Sequence, residues 1–258
     1  MNRINKLLEN KSDLLTIFYT AGYPNLKDTI PTLEQLQAEG VDMVEIGIPF
    51  SDPVADGPVI QQANLQAIEN GMTVETLFSQ LDGMRKNITI PVLIMSSLNP
   101  ILQFGMTRFC EHCKAVGIDG LILPDLPYDV YESQYKSLYE KHGLHNILLV
   151  TPTTPEDRIR EIDKASTGFI YQVSSSSITG AKGQFSKDQI SYFSKIKEMN
   201  LNKPNLIGFG ISDENTFNEA CTYAKGGIIG SAFVKALNQS GDRNENIRNF
   251  VRSIRPSS

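Results

Sequence analysis

Eight short apolar runs, rich in β-branched residues, recur along this chain, and helical sequence follows each one. They lie at 14–20 (LLTIFYT), 41–48 (VDMVEIGI), 91–95 (PVLIM), 120–123, 146–150 (NILLV), 168–173 (GFIYQV), 205–208 and 227–229. Runs apolar on both faces and bounded by turn residues are expected as strands of a parallel sheet covered by helices. Amphipathic stretches at 28–38, 59–69, 73–85, 106–116, 130–141, 156–165, 191–200 and 213–224 supply those helices, and 2–10 and 245–254 flank them. No linker or shift of composition divides the series. The expectation is one α/β domain over 1–258, a single (β/α)8 TIM barrel with extra helices at the N-terminus and after the second strand. A doubly wound open sheet is the rival. It usually places a Gly-rich fingerprint after its first strand, and Ala21-Gly22-Tyr23-Pro24 is not one.

Composition narrows the function classes. With 258 residues, 40% hydrophobic and 21% charged, the chain has the profile of a globular protein with a sizeable core. A net charge of −5 with no basic stripe argues against nucleic acid or an anionic membrane as partner. No apolar run approaches a membrane span and the first dozen residues are polar, so a cytoplasmic enzyme is expected. Three cysteines offer no disulfide framework. Cys110 and Cys113 form a CxxC around His112, but His142 and His145 have no matching ligand spacing. Two core thiols one helical turn apart are the simpler account, and no metal is expected.

The second strand carries the first chemical signal. Strand side chains alternate, so Met43, Glu45 and Gly47 share one face and Val44, Ile46 and Ile48 the other. An ionised carboxylate in a covered sheet needs a partner or a purpose, because losing its water costs several kcal/mol, roughly. The loop that follows, PFSDPVADGP, brings Asp52 and Asp56. Glu45 and Asp56 can form a general acid/base pair. Equally, Glu45 can belong to a buried polar cluster while Asp52 and Asp56 cap turns.

Three glycine-bearing turns follow the last three strands: Thr179-Gly180, Phe209-Gly210 and Gly230-Ser231. Barrels bind phosphate at such places, on backbone N–H groups and the start of a short helix. Glycine lets the ligand approach, and Ser231 can add a hydroxyl. The Ser174–Lys187 stretch, SSSSITGAKGQFSK, has no apolar period and is expected as a long mobile loop.

The segment VEIGIPFSDPVADGP resembles the signature of the tryptophan synthase alpha chain family, and GFGIS and GSAFVK resemble that family's two phosphate-binding segments. The matching segments run from the first strand to the helix after the eighth. The resemblance implies a lyase that cleaves indole-3-glycerol phosphate to indole and glyceraldehyde 3-phosphate in tryptophan biosynthesis. Glu45 and Asp56 would be catalytic, with Tyr171 beside them. Phe18 and Phe209 would hold the indole ring, and Thr179, Gly180, Gly210, Gly230 and Ser231 would take the phosphate end. It also implies no cofactor on this chain, with pyridoxal phosphate only on a beta chain partner in an α2β2 heterotetramer. Pro53, Asn99 and the Asp125-Leu126-Pro127 loop lie at strand ends suited to that partner face.

Two stretches depart from the family pattern. Ser174–Ser177 are all serine where an arginine or glycine is common, and Ser97-Leu98 stands where a pair of tyrosines is common. They bear on loop closure and on the indole pocket or partner face, not on the reaction. Two other classes remain open on the residues. An indole-glycerol phosphate synthase is expected to use a strand lysine, and none lies in the eight runs. A regulatory subunit could keep the phosphate turns without needing Glu45 and Asp56 together.

Overall fold

The computed structural model describes residues 2–52, 56–174 and 184–256. Pro53, Thr179 and Gly180 lie outside them. The parallel strands form one sheet, β1 (Leu14–Thr20), β2 (Met43–Gly47), β3 (Val92–Met95), β4 (Gly120–Ile122), β5 (His145–Asn146), β6 (Leu148–Val150), β7 (Ile170–Val173), β8 (Asn205–Gly208) and β9 (Gly226–Ile229). Its order is β5-β4-β3-β2-β1-β9-β8-β7-β6.

The two ends of that order are one interrupted strand. β5 pairs with β4 and β6 with β7, and only Ile147 separates them. Ile147 itself donates its N–H to Leu121 at 3.0 Å, so the ring is nearly continuous. The eight expected strands are therefore present, with the fifth broken into two. An open doubly wound sheet is excluded, because β1 pairs with both β2 and β9.

Alternation along the strands sorts side chains into two cores. Leu15, Ile17, Val44, Ile46, Val92 and Ile94 point outward and pack under the helices. Leu14, Met43, Leu93, Ile122, Phe169 and Leu206 point inward and fill the barrel. The leading helix Arg3–Asn10 closes the bottom with Ile4 and Leu8, which join the inner core. Ile4 is the deeper of the two. Arg3 and Arg85 both pair with Asp119, at 3.0 and 2.6 Å, and tie that helix to the barrel floor.

Two helices, Pro58–Glu69 and Val74–Leu81, follow β2, matching the expected elaboration. A further helix, Leu98–Phe104, was not anticipated. No side chain of its own caps its start. The Asp125 carboxylate, from the loop after β4, instead accepts the Leu98 N–H at 2.9 Å. Cys110 and Cys113 are fully buried on helix Met106–Val116, and burial raises both thiol pKa values, as suits core residues.

Candidate active site

All strands are parallel, so every loop that follows a strand opens at the same mouth of the barrel. The sheet order makes β7, β8, β9, β1 and β2 consecutive neighbours. Tyr171, Phe209-Gly210, Gly230-Ser231, Phe18 and Glu45 with Asp56 come from these five strands or the loops leaving them. One contiguous half of the mouth therefore carries every candidate within the described residues.

Glu45 lies in the middle of β2, level with Phe18 on β1 and Leu93 on β3. It faces the interior and is 0% exposed. Neither carboxyl oxygen has a hydrogen-bond partner among the described residues. With nothing to stabilise the anion, burial raises the carboxyl pKa from 4.5 to about 8. A neutral carboxyl at neutral pH can give up a proton, and the chemistry decides where it goes.

Asp56 is half-buried on the loop after β2. Burial raises its pKa, and a hydrogen bond from Asn64 partly offsets the rise. Asn64 lies on helix Pro58–Glu69, on the buried face it shares with Ile60, Ala63 and Ala67. Its Nδ2 donates to Asp56 at 3.4 Å, and its Oδ1 accepts from the Thr20 hydroxyl at 3.2 Å. Thr20 thus fixes which way the amide points, and the amide orients the carboxylate. Sequence reading passed over both residues. The signal for Asn64 was there, as a polar residue on the apolar stripe of an amphipathic helix.

Tyr171 is buried in the interior core, where burial and the charges of Glu45 and Asp56 push its hydroxyl pKa well up. Its ring lies over Gly208 on the next strand, where a Cβ would stand 2.3 Å from the hydroxyl oxygen. Gly208 therefore makes room for the tyrosine. The Phe209 ring meets that of Tyr171 edge to face, with centroids 6.2 Å apart. Phe18 is half-buried, and its ring fills the space over Gly47 and Gly230. Three aromatic rings thus gather on this side of the barrel, with Phe18 level with Glu45.

The two glycine turns at this mouth differ in origin. Phe209 and Gly210 both adopt left-handed backbone, with φ of 69° and 76°. The second favours glycine, while the first is costly for phenylalanine. Gly230 has ordinary φ and precedes helix Ser231–Leu237, with Ser231 as its exposed first residue. The expectation of a wholly mobile 174–187 loop is corrected at both ends. Ser174 is buried and bonded to Phe209, Phe185 is buried against Phe193, and Ser186 caps helix Lys187–Glu198. Sequence reading undervalued a single phenylalanine flanked by polar residues. Among the described residues, no group of three or more His, Cys, Asp or Glu could hold a metal ion.

Comparison with known proteins identifies the family. The family model for the tryptophan synthase alpha chain matches residues 4–255. The tryptophan synthase alpha chain of Flavobacterium psychrophilum is 53% identical over 254 residues, covering 98% of this chain and all of the relative. That of Flavobacterium johnsoniae is 52% identical over 99% of this chain and all of its own length. Among solved structures, the tryptophan synthase alpha subunit of Legionella pneumophila superposes with a TM-score of 0.88 at 32% identity, over 99% of this chain and 97% of its own. A match of this length leaves no part of the barrel unaccounted for, and the chain belongs to the tryptophan synthase alpha chain family, the enzyme subunit that cleaves indole-3-glycerol phosphate.

Proposed function

We propose that Glu45 is the acid/base and Asp56 the electrostatic partner in the retro-aldol cleavage of indole-3-glycerol phosphate. The observation that carries this reading is a fully buried carboxyl with no hydrogen-bond partner among the described residues, pushed up to about 8, facing the interior of a barrel with Tyr171 and Phe209 in its inner core. The neutral Glu45 carboxyl protonates the indole ring at C3. That places positive charge on the ring nitrogen, and the Asp56 carboxylate accepts its N–H with a strength that grows towards the transition state. The bond from C3 to the side chain then breaks while the adjacent hydroxyl returns a proton to Glu45. Indole and glyceraldehyde 3-phosphate leave, and the proton count balances. Tyr171, inside the field of both carboxylates, packs beside the reacting centre.

Phe18 and Phe209 hold the indole ring between them. Gly210, Gly230 and Ser231 receive the phosphate, whose distance from the broken bond lets its binding energy be used for orientation. Thr179 and Gly180 are assigned to the substrate on family resemblance alone. The steps call on no cofactor of this chain.

As a tryptophan synthase alpha chain, this subunit works with a beta chain. We place that partner, bearing the pyridoxal phosphate, against the loops after β2, β3 and β4, in an α2β2 heterotetramer. The Asp125 cap joins two of those loops, and Leu102 on the capped helix is a large apolar side chain 48% exposed. No helix among the described residues is long and apolar enough to cross a membrane, and the expected setting is the cytoplasm.

An indole-release assay on the purified chain tests the reading. Indole and glyceraldehyde 3-phosphate should form in equal amounts from indole-3-glycerol phosphate without added cofactor. No product with the substrate bound would point to a regulatory subunit, and formation of indole-3-glycerol phosphate from its open-chain precursor would point to the preceding synthase.

A further inference from the structure

We propose that Ser174 is a positioning residue for the phosphate turn, holding the Phe209-Gly210 peptide in the one orientation that offers its N–H to the substrate. The inference rests on the reading of Gly210 as a phosphate contact. Ser174 is 1% exposed and follows β7 directly. Its N–H continues the sheet by donating to Gly208 at 3.0 Å, and its hydroxyl donates to the Phe209 carbonyl at 2.8 Å.

That second bond fixes more than one atom. In a trans peptide the carbonyl of one residue and the N–H of the next point in opposite directions. With the Phe209 carbonyl drawn back to Ser174, the Gly210 N–H points away from Ser174, towards the exposed side of the turn. It makes no hydrogen bond among the described residues. Rotation of this peptide would turn a carbonyl oxygen towards the phosphate instead, and like partial charges would repel. Phe209 in left-handed backbone needs such a restraint, because a residue with a Cβ does not stay there unaided.

The hydroxyl is itself held from behind. Gln189 Nε2 lies 3.5 Å from Ser174 Oγ, directing the hydroxyl proton to Phe209. Gln189 is fixed in turn by a reciprocal cap, in which its Oε1 accepts the Ser186 N–H at 2.8 Å and its own N–H donates to Ser186 Oγ at 3.2 Å. The Phe185 ring and Ser174 Oγ both lie 3.4 Å from where a Cβ on Gly210 would stand, so the turn is backed by packing as well. Residues at both ends of the 174–187 segment therefore grip the same turn.

The test measures KM and kcat for indole release, and competition by inorganic phosphate, in the wild type, Ser174→Ala and Ser174→Thr. Ser174→Ala should raise both KM and the inhibition constant of phosphate by about tenfold, the effect of one lost hydrogen bond, while kcat falls less than about threefold. Ser174→Thr keeps the hydroxyl and should recover most of the affinity. Unchanged affinity in Ser174→Ala, or a threonine variant no better than alanine, overturns the proposal. Should Ser174→Ala fail to fold, the wild type still decides: phosphate should shift the Gly210 amide resonance, and an unmoved Gly210 with phosphate bound overturns it. A wild type that does not bind phosphate at all fails the phosphate-site reading instead.

Discussion

Glu45 is a residue whose cost and use are the same property. Its carboxyl is ordinarily near 4.5 and stands at about 8 in the folded chain. Below the lower value both states are protonated and no penalty exists. As pH rises towards the upper value the unfolded chain releases a proton that the folded chain keeps, so stability is lost. Glu45→Gln removes the penalty, so denaturant unfolding should show it more stable than wild type by over about 1 kcal/mol at pH 8, shrinking towards pH 5. Asn64 acts in the opposite sense on its neighbour, lowering the Asp56 pKa. Asn64→Ala should therefore move the acid limb of the kcat/KM profile to higher pH; an unmoved limb would remove the amide from the site. A carboxylate inside an apolar strand announces itself in a sequence, and Glu45 did so. Thr20 did not, because a threonine ending a β-strand needs no explanation until its hydroxyl is seen to meet Asn64.

Elements were legible where the chain itself supplies both the pattern and the stop. β1 and β8 fall where their apolar runs predict, and helices Met106–Val116 and Glu156–Ala165 match their amphipathic stretches. Legibility failed where the deciding partner is distant. Helix Leu98–Phe104 has a proline within its first turn and borrows its cap from Asp125, 27 residues on. No local rule could place it. Asp125→Ala should lower stability by about 1 kcal/mol through that cap, read by denaturant unfolding, and should weaken beta-chain binding through the same loops. An unchanged midpoint would mean that the helix stands without it. The interruption at Ile147 was invisible for a related reason, since β5 pairs with β4 and β6 with β7, and nothing local in the 146–150 run marks where the neighbour changes.

At the scale of the whole molecule the barrel divides its mouth. Five consecutive strands bear the chemistry, and the loops after β3 and β4 are left with a capped helix and an exposed leucine. The floor is closed by Ile4 from the leading helix, which joins the inner core, and burial within the barrel raises the Glu45 pKa. Position on a strand, depth in the barrel and distance from any hydrogen-bond donor all converge on that one carboxyl. The most direct measurement is the turnover of Glu45→Gln in indole release at saturating indole-3-glycerol phosphate, with phosphate binding measured alongside to show an intact site. A fall of about 10²-fold or more with phosphate affinity unchanged is the predicted result. Turnover near the wild-type rate would contradict the account, leaving Glu45 a buried carboxyl without a part in the reaction.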